Sequence, residues 1–306
     1  MARRAAAVLN RVFAVRRFPK FNKTRTGLSL VLLPLGALLA AGQARLEKTF
    51  DTTSNPRISL TNLTGQVVIK GWDRAQVHAL ATTSSPRVEV DTEALPATGR
   101  AEKVHFDTHV LDPLVTGKDQ SADYSLELPF GASLEIRNRQ GSVQIENLQG
   151  EASVESVGGS IFVRDITGHL SVRSVGGDIE IIRPSGRVEA STITGSLHFV
   201  SPSGSQLRGN TTSGRIIFEG DLLSGGDYEL SSYSGDIDVV CPPSASFELN
   251  AKTVRGKLDN RLALTPKRHS PLPFSGNSLL GTHNAGTATV ELSSFSGTIR
   301  IRQQQP

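Results

Sequence analysis

From residue 141 to residue 204 a glycine returns at every ninth position: Gly141, Gly150, Gly159, Gly168, Gly177, Gly186, Gly195 and Gly204. After nearly every one, the positions two and four residues on are apolar, as in Val143/Ile145, Ala152/Val154, Ile161/Val163, Leu170/Val172, Ile179/Ile181 and Leu197/Phe199. The positions between are mostly Ser, Glu, Asp, Arg or His. A period of two puts the apolar pair on one face of a strand and the polar residues on the other. Each unit therefore predicts a short half-buried strand and a tight turn. A unit this small cannot bury its own apolar face, so the fixed period implies stacked repeats.

Turn chemistry agrees with the pattern. Asn138, Asn147, Ser156, Asp165, Ser174, Thr192, Thr211, Ser232, Thr253 and Ser294 each precede a glycine by three residues. Asn, Asp or Ser first and Gly fourth is the preference of a type I turn. A longer beat is superimposed: Val157-Gly158-Gly159-Ser160-Ile161 returns as Val175-Gly176-Gly177-Asp178-Ile179, eighteen residues on. The series continues at 193–197, 212–216, 233–237, 254–258 and 295–299. Gly159, Gly177, Gly195, Gly214, Gly235 and Gly256 then read as equivalent positions spaced by 18, 18, 19, 21 and 21 residues. One coil is two strands and two turns, and the lengthening is loop growth at one corner.

The predicted fold is all-β: a β-solenoid of the single-stranded β-helix or β-roll type, about 18 residues per coil, with two parallel sheets facing across a thin Val/Ile/Leu core. Stacked coils would lie about 4.8 Å apart. A β-sandwich with glycine-rich turns also spaces its turns by about 8–12 residues. It does not give eight glycines at one interval or an eighteen-residue double period.

Outside the regular coils, strands are predicted at 47–52, 57–61, 67–70, 76–81, 124–128 and 133–137, with exposed turns near 94–100 and 112–118. Residues 265–286 are rich in Pro, Ser, Gly and Asn and read as a long loop. Closing strands follow at 287–292 and 297–302. The expected organisation is an export signal or signal anchor at 1–44, irregular β coils at 45–135, and the regular solenoid at 136–302 with a loop insertion at 265–286.

Charge changes the picture at the N-terminus. The 306-residue chain has a formal charge of +4, yet residues 1–44 hold eight Lys and Arg and no acid, leaving −4 on the remainder. The basic balance belongs to the leader, and a nucleic-acid partner loses its argument. An apolar run from Leu28 to Ala41, broken by Pro34, precedes Gly42-Gln43-Ala44. A basic region, a short apolar run and a small-x-small site make an export signal. The run is shorter than the ~20 residues of a membrane-spanning helix. Membrane contact is therefore expected only through this segment, if it stays uncleaved as a signal anchor. The expected location is periplasm, cell surface or medium. Arg16-Arg17-Phe18 is followed by Pro19 and matches a twin-arginine signal poorly. The single cysteine, Cys241, excludes an intrachain disulfide and is expected to be a half-buried thiol.

Leu63-Thr64-Gly65-Gln66-Val67-Val68-Ile69-Lys70-Gly71-Trp72-Asp73, Tyr124-Ser125-Leu126-Glu127-Leu128-Pro129, the Gly-x-Val/Ile-x-Val coils and Ser294-Phe295-Ser296-Gly297-Thr298-Ile299-Arg300-Ile301 together resemble the bacterial β-strand-repeat family of candidate adhesins, a domain family of unknown function. The resemblance covers nearly all of residues 45–302 and implies an exported, non-catalytic β-solenoid. It carries over no binding residues. The 265–286 loop departs from the plain repeat.

Chemistry is sparse. Calcium-binding β-rolls also use nine-residue half-coils, but their Gly-Gly-x-Gly-x-Asp turns are not reproduced by Gly158-Gly159-Ser160 or Gly176-Gly177-Asp178. A polysaccharide lyase needs a base and cations clustered in a groove. The expected register puts Asp178, Ser196, Arg215, Asp236 and Lys257 in one outward column, and Glu180, His198, Ile217, Asp238 and Asp259 in the next. Arg215 between acids, and Lys257 beside Asp236, is how a solvated face limits like-charge repulsion. His105, Asp107 and His109 share a strand face, but the outer pair lies ~13 Å apart on a regular strand, too far for one metal. Trp72 is read as an edge aromatic or a sugar-stacking platform. Phe162 and Ile217 point outward. No catalytic residue, cofactor or metal ligand is assigned.

Candidate surface contacts are Trp72, Asp178, Glu180, His198, Arg215, Asp236 and Asp238. The expected function is a non-catalytic binding, adhesion or scaffold module of the cell envelope, with a surface, glycan or protein partner. The alternatives are a carbohydrate-active β-helix enzyme, lyase or hydrolase, and a membrane-tethered periplasmic sensor.

Overall fold

The structure is a computed structural model, and the described residues are 44–112, 120–266, 274–275 and 277–304. The leader up to residue 43, most of the turn predicted at 112–118 and residues 267–273 of the predicted loop lie outside them. Twenty-four strands and no α-helix are found among the described residues. No helix there is long and apolar enough to cross a membrane. The N-terminal part contributes β1 (Ala44–Thr64), β2 (Val67–Trp72), β3 (Gln76–Thr83), β4 (Val88–Leu95), β5 (Ala101–Val110) and β6 (Ala122–Pro129). The regular part begins with β7 (Ser133–Gln140), β8 (Val143–Leu148), β9 (Ala152–Gly158), β10 (Ile161–Ile166), β11 (His169–Ser174) and β12 (Ile179–Ile182). It continues with β13 (Arg187–Thr192), β14 (Leu197–Val200), β15 (Gln206–Thr211), β16 (Ile216–Glu219), β17 (Asp227–Ser232) and β18 (Ile237–Cys241). The C-terminal part adds β19 (Phe247–Thr253), β20 (Leu258–Asn260), β21 (Phe274–Ser275), β22 (Ser278–His283), β23 (Ala288–Ser294) and β24 (Ile299–Gln303).

From β7 to β18 the chain alternates between two parallel sheets. The even strands pair side by side in sheet A, so that Val143, Ile161, Ile179, Leu197, Ile216 and Ile237 follow one another in register. The odd strands do the same in sheet B, through Ala152, Leu170, Val188, Leu207 and Tyr228. All of these side chains are buried. The period-two pattern thus becomes two inward-facing apolar columns per sheet. Where sheet A supplies the ring of Phe199, sheet B supplies Gly209, while the Phe218 ring meets the edge of Tyr228 at 5.7 Å. A Cβ on Gly209 would run into the Phe199 ring. Large opposite small lets the two sheets close together at that point.

The two kinds of corner differ, and growth is confined to one of them, as the lengthening repeat implied. From β11 onward, going from sheet B to sheet A takes four residues each time, as between β13 and β14 or β15 and β16, whereas the longer strands β7 and β9 leave two. Going from A to B takes four residues after β12, five after β14 and seven after β16, so the coil lengthens only there. At that second corner Asn147, Asp165, Arg183 and Ser201 adopt left-handed backbone, with φ between 49° and 58°. Asn and Asp tolerate this conformation best. Arg183 is tied down by a two-pronged contact to Asp165 of the preceding coil, at 2.8 and 2.6 Å.

The constant corner carries a hydroxyl ladder. Thr192 Oγ1 accepts the Gly195 amide at 3.2 Å and donates to the Gly177 carbonyl of the coil before it at 3.4 Å. Thr211 does the same with Gly214 and Gly195, at 3.0 and 3.3 Å. The hydroxyls are buried, so an unmade bond there would be costly. Glycine is required for close approach: a Cβ on Gly195 or Gly214 would overlap the carbonyl oxygen of the glycine one coil earlier.

At both ends the spatial order departs from the chain order. β1 and β2 lie between β5–β6 and β7–β8. At the other end β23 and β24 slot between β17–β18 and β19–β20. Gly235 is therefore followed in space by Gly297, and only then by Gly256. This corrects the expected Gly235-to-Gly256 step of the repeat. A polar clasp holds the first intercalated coil. Thr108 Oγ1 donates to Asn62 Oδ1 (3.1 Å), Asn62 Nδ2 donates to the Ala122 carbonyl (3.0 Å), and the Tyr124 hydroxyl completes the set by donating to Thr108 (2.6 Å). Burial pushes that hydroxyl up to about 12, so it stays a neutral donor.

Outer strands cap the stack. Residues 44–51 of β1 pair antiparallel with β3, which pairs antiparallel with β6 at the start of sheet A. β4 covers β5 at the start of sheet B, and β22 covers β19 at its end. β22 occupies part of the segment expected to be loop. Its alternating burial pattern was masked by the neighbouring Pro, Ser and Gly. At the end of sheet A the edge strand β20 is only three residues long. Short and covered edges limit pairing with other chains.

Two measurements follow. Ile179 is 1% exposed while Glu180 faces outward, so Ile179→Asp should cost at least about 3 kcal/mol and Glu180→Ala less than about 0.5. Equal thermal stability of the two variants would refute the sidedness. Thr192→Val should cost about 1–3 kcal/mol by stranding the Gly195 amide and Gly177 carbonyl. Thr192→Ser should unfold within about 0.5 kcal/mol of the parent, because it keeps the hydroxyl.

Candidate functional site

Six of the seven candidate contacts cluster on one part of the outward face of sheet A. The residues directly after the corner glycines form one column, in which Asp178, Ser196, Arg215 and Asp236 succeed one another. Two positions on, Phe162, Glu180, His198, Ile217 and Asp238 form the second. The intercalated C-terminal coil then puts Thr298 and Arg300 where Lys257 and Asp259 were expected. Lys257 and Asp259 come one strand later. The electrostatic consequence is large. Asp238 would have faced the like charge of Asp259, and instead it faces a guanidinium.

A lattice of alternating charge results. Arg215 Nε donates to Asp238 Oδ2 at 2.6 Å. Arg300 Nη1 donates to Asp236 Oδ2 at 2.8 Å and lies 3.5 Å from Asp238 Oδ1. Asp238 is only 7% exposed, and a carboxylate this enclosed needs both partners. Burial by itself would raise the Asp236 carboxyl. The Thr298 amide, the Arg300 hydrogen bond and the nearby charges of Arg300 and Arg215 outweigh it and hold the group below the usual carboxylate range.

Two of the candidate acids share a structural task. Asp178 Oδ1 accepts the Ser196 amide at 2.7 Å, and Asp236 Oδ1 accepts the Thr298 amide at 2.8 Å. Asp123 accepts the Gln66 amide in the same way at 2.7 Å. In each case the amide donor is the residue that follows a neighbouring coil's glycine, so these carboxylates staple one coil to the next.

His198 sits in the middle of the face, with Nδ1 3.8 Å from Glu180 Oε1 and Nε2 3.8 Å from Glu219 Oε1. Phe162 and Ile217 are half-buried beside this column, as expected, and the Arg164 guanidinium lies 5.0 Å over the Phe162 ring. Trp72 does not join the cluster. It lies on β2, separated from β12 by β8 and β10. Its indole Nε1 donates to the Gln76 carbonyl at 2.8 Å, and its ring meets His78 and Arg74. Trp72 therefore closes the β2–β3 turn.

The His105, Asp107, His109 face is divided among separate contacts. His105 Nδ1 is 2.6 Å from Ser59 Oγ, while His109 Nε2 is 3.2 Å from Asp91 and 3.3 Å from Asp107. No set of three His, Cys, Asp or Glu groups suited to a metal ion is found among the described residues. Cys241 is fully buried, more so than expected, and burial raises its thiol to about 11.

Sequence reasoning missed Arg300 and Thr298, because chain order placed β20 rather than β24 beside β18. The signal was present. Ser294 to Ile299 repeats the four-residue corner and marks a full coil rather than a loose closing strand.

No family model matches the sequence, and no curated protein does. Two solved structures resemble the chain weakly. A candidate cell adhesion protein from Clostridium sporogenes is 10% identical, with 86% of this chain and 99% of that one covered at a TM-score of 0.28. A candidate adhesin from Bacteroides fragilis is 11% identical, covering 85% and 97% at a TM-score of 0.41. Likeness at this level assigns this chain no function.

The lowered Asp236 carboxyl has a definite pH signature. Its folded value lies below the unfolded value of about 3.9, so its contribution is present above about pH 4 and fades as pH falls through the folded value. Asp236→Asn should therefore reduce stability to urea more at pH 7 than at pH 3. An equal loss at both would contradict the ion pair with Arg300.

Proposed function

We propose that this chain is an exported β-solenoid that serves as a non-catalytic binding or scaffold module of the cell envelope, presenting the outward face of sheet A to a surface, glycan or protein. The observation that carries the reading is the Arg215–Asp238–Arg300–Asp236 lattice. Its acids and bases neutralise each other within the sheet, and Asp236 also staples neighbouring coils. A general acid or base works best with a pKa near the working pH. Asp236 is shifted away from that range. Side chains held this firmly form a preorganised contact surface, which lowers the ordering cost of binding.

Export rests on the basic leader, the apolar run 28–41 and the small residues at 42–44. Cleavage there frees the module, whereas retention of the run makes it a membrane-tethered sensor.

The test uses the leaderless chain from residue 45. It is applied to a glycan array and, separately, incubated with acidic polysaccharides while absorbance of unsaturated products is followed. The expected result is no product, with retention on a glycan or, failing that, on a protein partner. Steady product formation abolished by Asp178→Asn or Asp236→Asn would replace the binding module with a lyase.

A further inference from the structure

Eight large apolar side chains are exposed among the described residues, and five of them occupy one corner position in different coils. They are Val157, Val175, Ile193, Tyr233 and Val254, each 46–58% exposed. Backbone hydrogen bonds between successive coils align them with Thr212 and Phe295 in a single row. The order along the stack is Val157, Val175, Ile193, Thr212, Tyr233, Phe295, Val254. Tyr233 and Phe295 stack at 4.8 Å with planes 3° apart, and the Arg255 guanidinium lies 5.3 Å over Phe295. Directly beneath runs the buried hydroxyl ladder, which fixes the pitch. Seven positions at ~4.8 Å make a row about 29 Å long. Apolar side chains exposed in a continuous line mark a contact surface.

We propose that the row is a self-association surface, on which a second copy of the chain lays its own row antiparallel about a two-fold axis at Thr212. Pitch argues for a second copy. Side chains on one face of an extended peptide recur at ~6.6 Å and would fall out of step with the row within three coils. Another such row keeps step along its whole length. Size argues for the antiparallel sense. Tyr233 then meets Ile193, Phe295 meets Val175, and Val254 meets Val157, so the bulky end of one row faces the narrow end of the other. At the narrow end Gly158 and Gly176 leave open space, since a Cβ on Gly158 would meet nothing within 4 Å and one on Gly176 nothing closer than 3.6 Å. The fold does not require glycine at either place, and the partner's Arg255 and Ser296 come opposite.

Charge agrees. On the sheet B side of the row Glu155 comes opposite the second copy's Lys252. A parallel two-fold would instead set Lys252 against Arg255. The contact is isologous and closes as a dimer. A strip about 29 Å by ~12 Å is less than half the ~800 Å² per partner of a standard interface, so the dimer is reversible.

Cysteine cross-linking tests the register. Under a mild oxidant Thr212→Cys, on the axis, should link to itself. Val157→Cys alone should stay monomeric but link when mixed with Val254→Cys. The native thiol of Cys241 is buried and does not compete. Ile193→Asp should weaken dimerisation at least tenfold by sedimentation equilibrium with an unchanged Tm. A parent chain that stays monomeric up to millimolar concentration overturns the proposal. So does Val157→Cys linking to itself as readily as Thr212→Cys.

Discussion

A hydrogen bond between a buried hydroxyl and two glycines of adjacent coils sets the register on which everything else rests. Thr192, Thr211, Thr253 and Ser294 of the constant corner each tie their own coil's glycine amide to the carbonyl of the glycine one coil away, as Thr211 does with Gly214 and Gly195. The bond demands close backbone approach, which only glycine permits, and it forbids any change in corner length. The opposite corner is free to grow because no such ladder runs through it. With strands parallel and alternating, a slip of one residue would turn every apolar column outward. The ladder therefore determines which residues form the core, which form the charged face of sheet A and which form the exposed corner row.

A stack of identical coils has an intrinsic difficulty at its ends, where strands lack partners. Here each end is finished by the same device, a terminal coil placed one position inside the stack and an earlier or later coil placed outside it. β1–β2 and β23–β24 are the inner pieces. The outer coils then carry antiparallel covers, β3 and β4 at one end and β22 at the other. Both chain segments are thereby gripped on two sides, and the Asn62–Thr108–Tyr124 clasp adds a buried polar lock at the first.

Much of this was legible in the sequence. The nine-residue glycine interval and the period-two alternation were enough to predict parallel strands with Ile161, Ile179 and Leu197 superposed. They also put Asp178, Glu180, His198, Arg215, Asp236 and Asp238 on one face. Stack order was not legible, because periodicity reports which segments are equivalent and is silent on which equivalent segments touch. Asp238 illustrates the difference: its partner Arg300 is sixty-two positions away in the chain but one strand away in space. Trp72 stands apart from that group because its indole bonds the Gln76 carbonyl and so braces the turn from β2 to β3. The corner row escaped notice because turn positions were scored for their backbone preferences, whereas their side chains form a surface of their own.

The functional consequence is a molecule whose faces are fixed by backbone geometry rather than by loops. The charged lattice on sheet A and the apolar corner row are both held at the coil pitch, so their side chains stand at preset spacings. Methyl-to-methyl nuclear Overhauser contacts in a selectively labelled chain measure this arrangement most directly. The account predicts contacts of Ile299 with both Ile237 and Leu258, and none between Ile237 and Leu258. It also predicts an unbroken series through Ile161, Ile179, Leu197 and Ile216. A direct Ile237–Leu258 contact, or a gap in the series, would contradict it.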